Sequence, residues 1–325
     1  MNNYNILVLS VGRRVELVNL FKKAAKKLNI KSSIIVADCS EMAPALYFGD
    51  KKYIIPKIDD SNYINSIIDI SNQENIKLII PTIDTELLIL SKNKQLIENR
   101  TKAKIMISNY EMINICRDKI KTSEYLTNLG FNVPKTYNFE DIKPDSKVFP
   151  LFIKPISGSS SINAFKVNNY EELSLYTKLI NNFMIQEYVG GDEYTVDAFL
   201  DFNSKPITIV PRLRISTRAG EISKGKIVKD GYIINTVKDL LSKTKFIGHI
   251  TIQLKKDKTI SFIEINPRFG GGAPMSIEAG ANSCESLYNV LQNKTLYYNE
   301  DYKDNLVFLR YDAAIMIDEK DVQRD

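Results

Sequence analysis

The residues best suited to chemistry lie in the segment 262–272, FIEINPRFGGG. If this segment is a strand, its period-two alternation places Glu264 and Asn266 on one face, and Gln253 on the preceding strand can join them across a hairpin. A carboxylate with amide oxygens suits Mg²⁺, and Arg268 beyond the strand could grip a phosphoryl or carboxylate group. The alternative is an ordinary exposed strand face followed by a glycine-rich turn.

A second candidate is the segment 153–161, IKPISGSSS. Lys154 at a strand end offers an ammonium, and the small residues after it offer backbone N–H groups to a polyphosphate. Lys119, at the start of a predicted helix, could supply another cation. This is no Walker A loop, because the lysine precedes the glycine. Solvated surface lysines are the alternative interpretation.

A third candidate is the segment 184–200, MIQEYVGGDEYTVDAFL. A strand that runs into Gln186 and Glu187 could hold an adenine through backbone hydrogen bonds. Glu193 could then accept hydrogen bonds from the hydroxyl groups of a ribose. The alternative interpretation of this segment is a polar connection between strands with a double-glycine turn.

Two further groups of polar residues could bind a substrate. Strand ends of a parallel sheet would present Arg13 to a carboxylate, and Asp84 or Glu86 to an amine. Thr82 and Asp84 are also good N-cap residues for a helix that begins at Glu86. The second group is the basic stretch 212–224. One of its four side chains is expected to reach the acyl phosphate or the substrate carboxylate: Arg212, Arg214, Arg218 or Lys224.

The elements that must position these residues can be inferred from hydrophobic patterning. Apolar runs at 4–10, 32–38, 76–82 and 103–108 alternate with amphipathic segments, which predicts a doubly wound parallel sheet. Ser108–Glu111 reads as a capping box that opens another helix. A small α+β unit follows. From Gly190 onward strands dominate, and 249–266 reads as an antiparallel hairpin.

Composition excludes several classes of protein. The 325 residues carry a net charge of +5 with no dense basic run, so nucleic acid is not expected as a partner. The three cysteines are far apart, and the single His249 lies in a strand-like segment, which disfavours disulfide scaffolds, zinc clusters and histidine-based hydrolases. No apolar stretch approaches the roughly 20 residues of a membrane span. We therefore expect a soluble cytoplasmic protein that does not bind membranes.

The order of these parts resembles the ATP-grasp superfamily, in its carbamoyl-phosphate-synthase-like branch. The resemblance implies a Rossmann-like preceding domain (1–112), a small lid subdomain (113–186) and a large subdomain with the catalytic site (187–325). The fold class is therefore α/β, with a Rossmann-like domain before a two-subdomain ATP-grasp α+β fold.

The resemblance also implies roles for individual residues. Gln253, Glu264 and Asn266 match metal ligands for one or two Mg²⁺ ions, with Mn²⁺ as an alternative, although Gln253 makes the site less negative than two carboxylates would. Arg268 matches the arginine that stabilises the transferred phosphoryl group, and Lys154 and Lys224 complete the expected catalytic cations. The expected ATP contacts are Lys119, Lys154, Ser157, Gly158, Ser159, Ser160, Gln186, Glu187, Val189 and Glu193.

The resemblance implies an ATP-dependent carboxylate–amine ligase that forms an acyl phosphate and releases ADP and phosphate. Its partners would be a small carboxylate and a small amine, and a homodimer is expected from the family alone. Two alternatives stay open. One is a carbamate- or bicarbonate-phosphorylating enzyme, and the other is an ATP-binding regulator without catalysis.

Overall fold

Three β-sheets organise the chain. The computed structural model describes residues 3–158, 162–218, 220–319 and 322. The sheets contain five, four and six strands and fall within residues 5–105, 136–187 and 192–309. The predicted boundaries at 112 and 186 stay predictions, and the strands of each sheet come from consecutive parts of the chain.

The first sheet is entirely parallel, in the order β3-β2-β1-β4-β5. Its helices cover both faces because successive apolar residues of each strand point to opposite sides. The predicted doubly wound sheet is confirmed. The elements are β1 (Asn5–Val8), α1 (Val15–Lys27), β2 (Ile34–Asp38), β3 (Lys51–Ile54), α2 (Tyr63–Gln73), β4 (Ile76–Ile80), α3 (Leu87–Lys92), α4 (Lys94–Arg100), β5 (Lys104–Ile105) and α5 (Tyr110–Cys116).

Two details of this domain differ from the sequence prediction. Strand β3 was not expected, because it is an edge strand with exposed lysines and lacks the apolar run of a central strand. The predicted capping box at Ser108 is wrong. Asn109 caps α5 by accepting a hydrogen bond from the Met112 backbone N–H at 2.9 Å, while Ser108 is buried and accepts one from Ile247 N–H.

The second sheet is a small four-stranded unit in the order β6-β9-β7-β8. Its helix α6 begins where predicted, because the Asp118 carboxylate accepts hydrogen bonds from Ile120 and Lys121 N–H groups and thereby caps the first turn. The elements are α6 (Lys119–Asn128), β6 (Thr136–Tyr137), β7 (Leu151–Pro155), β8 (Phe165–Val167), α7 (Tyr170–Leu179) and β9 (Phe183–Glu187).

The third sheet has six strands in the order β14-β13-β10-β11-β12-β15 and is antiparallel throughout. The predicted hairpin is present as β13 and β14, with Gln253 directly opposite Glu264. The elements are β10 (Asp192–Leu200), β11 (Pro206–Arg218), β12 (Glu221–Ile227), α8 (Gly231–Ser242), β13 (Gly248–Lys256), β14 (Ile260–Asn266), α9 (Ala273–Ala279), α10 (Ser283–Leu291) and β15 (Val307–Leu309).

Helix α1 joins the first domain to the third sheet. Phe21 on α1 meets the rings of Phe269 and Tyr288 edge-on, at centroid distances of 6.1 and 6.3 Å. Side chains from both parts form one continuous buried cluster around these rings. Ion pairs from Lys23 to Glu278 and from Lys27 to Glu285 flank this cluster. Helix α1 is thereby fixed beside the third sheet.

Among the helices that the structure describes, none has the length and apolar character needed to cross a bilayer. The three cysteines Cys39, Cys116 and Cys284 are all free thiols.

The assignment of Asn109 as the cap of α5 can be tested by mutation. Replacing Asn109 with alanine should lower the free energy of unfolding by about 1 kcal/mol, because the Met112 N–H loses its acceptor. Asn109→Asp keeps an acceptor and should remain close to the parent protein. Denaturant titration compares the three proteins, and equal stability of the alanine variant would contradict the assignment.

Candidate functional site

A cavity of about 200 Å³ lies between the small four-stranded unit and the hairpin β13–β14. Most of the residues predicted to contact ATP line it. They are Lys119, Lys154, Ser157, Gly158, Gln186, Glu187, Val189 and Glu193, together with Gln253 and Glu264. Ser159 and Ser160, also predicted there, lie outside the described residues.

Two lysines supply positive charge to this cavity. Lys154 is only 6% exposed on β7, and burial lowers its pKa to about 8, with Lys119 adding to the shift and Glu264 opposing it. The Lys119 ammonium donates hydrogen bonds to the backbone oxygens of Gly158, at 3.0 Å, and Ile156, at 3.4 Å. Both ammonium groups therefore belong to lysines that line the same cavity.

The strand β9 and its continuation form another wall of the same cavity. Gln186 is buried and donates to the Pro134 carbonyl, and Glu187 accepts a hydrogen bond from Lys135 N–H. Glu193 forms a 2.7 Å ion pair with Arg214. These bonds fix the side chains that line the wall.

A second cavity of about 380 Å³ adjoins the first and lies between the parallel-sheet domain and the six-stranded sheet. Gln253 and Glu264 line both cavities, so the two spaces meet at these side chains. Of the other predicted site residues, this cavity is lined by Asp84, Gly158, Arg212, Arg214, Asn266 and Arg268.

The predicted metal ligands meet at the junction of the cavities. Asn266 Nδ2 donates a 2.5 Å hydrogen bond to Glu264 Oε1, and Gln253 faces Glu264 across the hairpin. Across the described residues there is no cluster of three or more His, Cys, Asp or Glu side chains that could hold a metal. One carboxylate with two amide oxygens still fits Mg²⁺, which takes few protein ligands and completes its shell with water and phosphate oxygens.

Arg268 joins the two walls of the second cavity. Its guanidinium donates a 2.5 Å hydrogen bond to the Asp84 carboxylate from the parallel-sheet domain. Asp84 is therefore no helix cap, and the side chain of Thr82 bonds to the carbonyls of Leu9 and Ser10. The Nε of Arg268 is buried without a hydrogen-bond partner in the structure.

Arg212 is held in place by the fully buried carboxylate of Asp197. Asp197 binds the Arg212 guanidinium through two hydrogen bonds of 2.7 and 2.9 Å, and Ser276 donates a third at 2.5 Å. Burial alone would raise the pKa of Asp197, but Arg212 and His249 outweigh it, so that pKa lies below its ordinary value. Arg212 thus reaches the second cavity as a fixed cation.

Four predicted site residues are absent from the described lining of both cavities. The side chains of Arg13 and Arg218 are 82% and 76% exposed, and both face Asp312. Glu86 is fully buried and accepts hydrogen bonds from Ser10, Tyr63, Thr82 and Ile83, so it supports the chain instead of facing a substrate.

Lys224 is the fourth of these residues. It is exposed on β12, because the strand changes register between Ile222 and Lys224 and the usual alternation of faces is interrupted there. The prediction of Lys224 as a catalytic cation therefore has no support in its position.

Sequence reasoning missed three charged residues of the second cavity, namely Arg14, Arg117 and Glu221. Arg14 adjoins the predicted Arg13, and only the entry into α1 decides which of the two faces inward. Arg117 immediately precedes the α6 cap. Glu221 lies in the stretch whose arginines were singled out, and it contacts Arg14 at 3.5 Å and Arg310 at 3.0 Å.

Two protein families match successive parts of the chain. Residues 6–105 match the PylC-like N-terminal domain, and residues 116–272 match the ATP-grasp domain. Together these matches take in most of the chain. The fold is α/β, with three sheets and two adjoining cavities between them. The chain therefore contains an ATP-grasp domain, preceded by a PylC-like N-terminal domain.

Among curated proteins, a carbamoyl-phosphate synthase from Methanobrevibacter smithii is 22% identical over 293 residues, which cover 84% of this chain and 78% of that relative. The chain spans 49% and 25% of the next two curated relatives.

Two solved structures share the fold. N5-carboxyaminoimidazole synthetase from Staphylococcus aureus, complexed with ADP, has a TM-score of 0.72 at 18% identity and covers 91% of this chain and 79% of its own. The biotin carboxylase domain of Hydrogenobacter thermophilus 2-oxoglutarate carboxylase, with MgADP and bicarbonate, has a TM-score of 0.71 at 15% identity and covers 94% and 74%. The predicted fold class and family are confirmed, and the predicted ligase class agrees with them.

The lowered pKa of Lys154 predicts how ATP affinity depends on pH. ATP is an anion and should bind the protonated ammonium, so the dissociation constant for ATP should rise as the pH increases above about 8. Lys154→Arg places a guanidinium that does not titrate in this range and should flatten the profile. Equilibrium binding of ATP from pH 7 to 9 measures this, and identical profiles for both proteins would contradict it.

The buried pair of Asp197 and Arg212 predicts a large loss of stability. Asp197→Asn should lower the free energy of unfolding by about 3–5 kcal/mol, because it leaves the Arg212 charge buried without a counter-charge. Asp192→Asn, on the exposed end of the same strand, is the control and should change little. Denaturant unfolding compares the two, and equal effects would refute the assigned role.

Proposed function

We propose that this protein is an ATP-dependent carboxylate–amine ligase that works through an acyl phosphate. The observation that carries the proposal is the junction of the two cavities. Gln253 and Glu264 line both spaces, so a nucleotide in the first cavity and a carboxylate in the second would meet at the same side chains.

The first step would transfer the γ-phosphoryl group of ATP to a carboxylate oxygen, with ADP as the leaving group. Both reactants are anions, so their approach requires cations on each side. Lys119 and Lys154 would hold the phosphates from the first cavity. Arg268, oriented by Asp84, would bind the carboxylate and then the acyl phosphate from the second.

In the second step the amine nitrogen would attack the acyl carbon, lose a proton and displace inorganic phosphate. A C–N bond forms and the acyl C–O bond breaks. The proton passes to the released phosphate or to water. Arg268 and Arg212 would stabilise the negative charge that develops on the acyl oxygen, since both are held rigidly by carboxylates.

Glu264, with the amide oxygens of Gln253 and Asn266, would hold Mg²⁺ at the junction. The ion would neutralise phosphate charge and polarise the transferring phosphoryl group. The number of ions and the use of Mn²⁺ belong to the proposal. A single carboxylate in this set is a reason to expect weaker metal binding without the nucleotide than with it.

Two alternatives fit the site less well. A bicarbonate ion has only four heavy atoms and would leave most of a 380 Å³ cavity empty. An ATP-binding regulator has no need for Glu264, Asn266 and Arg268 at one edge of the nucleotide cavity. The homodimer and the cytoplasmic location predicted from the sequence are retained as part of the proposal.

The direct test is release of ADP and phosphate from Mg·ATP with pools of small carboxylates and amines. We expect ADP release only when one particular carboxylate and one particular amine are both present. ADP release with bicarbonate or carbamate alone would instead support the second function. Tight ATP binding with no ADP release in any pool would contradict a ligase.

Glu264→Ala tests the role of the junction. It should reduce phosphoryl transfer by at least about a hundredfold, because the only carboxylate of the proposed metal set is removed. Glu278→Ala, on the surface of α9, is the control and should retain full activity. ADP release is measured for both variants, and undiminished turnover in Glu264→Ala would contradict the assignment of Glu264 as a metal ligand.

A further inference from the structure

The second cavity is a polar space shared by two parts of the protein. The parallel-sheet domain contributes Arg14 and residues 82–85, and the six-stranded sheet with its glycine-rich turn contributes the opposite wall. Its volume of about 380 Å³ is more than ten times the roughly 30 Å³ that one water occupies in the liquid. A small metabolite therefore fits between the two walls.

Positive charge is in excess on these walls. Among the described residues the lining contains five arginines and three carboxylates. Two carboxylates outside the lining, Asp197 and Glu193, pair with Arg212 and Arg214, and Asp84 pairs with Arg268. Arg214 is itself 93% buried, as its side chain is only 7% exposed. Arg14 and Arg117 are left as the lining arginines with the weakest pairing among the described residues, and a guanidinium with free N–H donors can bind an anion.

Two of these cations belong to opposite walls of the cavity. Arg268 lies at the junction with the nucleotide cavity, beside Asn266 and Glu264. Arg14 lies where α1 begins, on the wall of the parallel-sheet domain. The only ion pair of Arg14 within the described ranges is a 3.5 Å contact with Glu221, which is shared with Arg310.

The environment of Arg14 favours an additional anion. Its side chain is 19% exposed, and burial together with the charge of Arg268 lowers the pKa of its guanidinium. The guanidinium of Arg117, farther along the lining, makes no hydrogen bond or ion pair with any residue that the structure describes. The charges of Glu221 and Asp84 oppose the lowering of the Arg14 pKa, and an anion bound at Arg14 would oppose it further.

We infer that the substrate of this cavity carries two anionic groups. One is the carboxylate that Arg268 presents to ATP, and the other is a carboxylate or phosphate bound by Arg14. This inference rests on the proposed function for the first group only. The substrate class is therefore small dicarboxylates or carboxylates that carry a phosphate group, and the parallel-sheet domain selects it.

Binding measurements test the inference without requiring turnover. Protein loaded with Mg²⁺ and a non-hydrolysable ATP analogue is titrated calorimetrically with matched pairs of ligands. The dicarboxylates of three to six carbons are compared with monocarboxylates of equal length, and 2-phosphoglycolate is compared with glycolate. We expect at least one dianion to bind ten- to a hundredfold more tightly than its monoanionic partner.

Two neighbouring arginines provide a matched pair of variants. Arg14→Gln should remove the preference for the dianion, while Arg13→Gln, which changes an exposed arginine, should retain it. Arg14→Lys keeps a positive charge and should recover part of the preference. Unchanged ATP-analogue affinity and melting temperature in each variant show that the protein remains folded.

The outcomes separate this inference from the proposed function. If no dianion binds more tightly than its partner, or if the preference survives in Arg14→Gln, the inference is overturned. If the preference depends on Arg14 but no ADP is released with any amine, the ligase proposal fails and the two-anion site stands. The phosphate and dicarboxylate arms identify which second group Arg14 accepts.

Discussion

The contact between helix α1 and the helices α9 and α10 is the interaction on which the site depends. Phe21 packs against Phe269 and Tyr288, and this apolar cluster fixes one end of α1. The opposite end of the helix carries Arg14 to the wall of the second cavity. Phe269 also immediately follows Arg268, so the same cluster anchors the strand end beside Arg268. Apolar burial therefore sets the spacing of the charged groups.

Most arginines of the second cavity are held in place in the same way. Each cavity arginine that is well fixed is held by a carboxylate from another element: Asp197 for Arg212, Glu193 for Arg214 and Asp84 for Arg268. Such pairing keeps a guanidinium oriented and still leaves some of its five N–H donors for a ligand. Arg14 has the weakest partner of this group, which is why its position stands out.

Much of this arrangement could be predicted from the sequence, for physical reasons that differ from residue to residue. Apolar runs identified the parallel strands, and period-two alternation placed Glu264 and Asn266 on one face opposite Gln253. Loops were harder. The choice between Arg13 and Arg14 depends on one turn of backbone, and the exposure of Lys224 depends on a register shift that no local pattern announces. Glu86 was misjudged because its burial comes from the distant Ser10 and Tyr63.

The division of the second cavity between two parts of the chain has a thermodynamic consequence. A ligand that touches both walls binds only while α1 is seated on α9 and α10. Binding and domain association are therefore linked, and the ligand must stabilise the seated arrangement by RT ln(1 + [L]/Kd), about 2.7 kcal/mol at a hundred times its dissociation constant. Two contacts then hold the parallel-sheet domain against α9 and α10. The aromatic contact at Phe21 is always present, and the anion contact at Arg14 forms only when the ligand is bound.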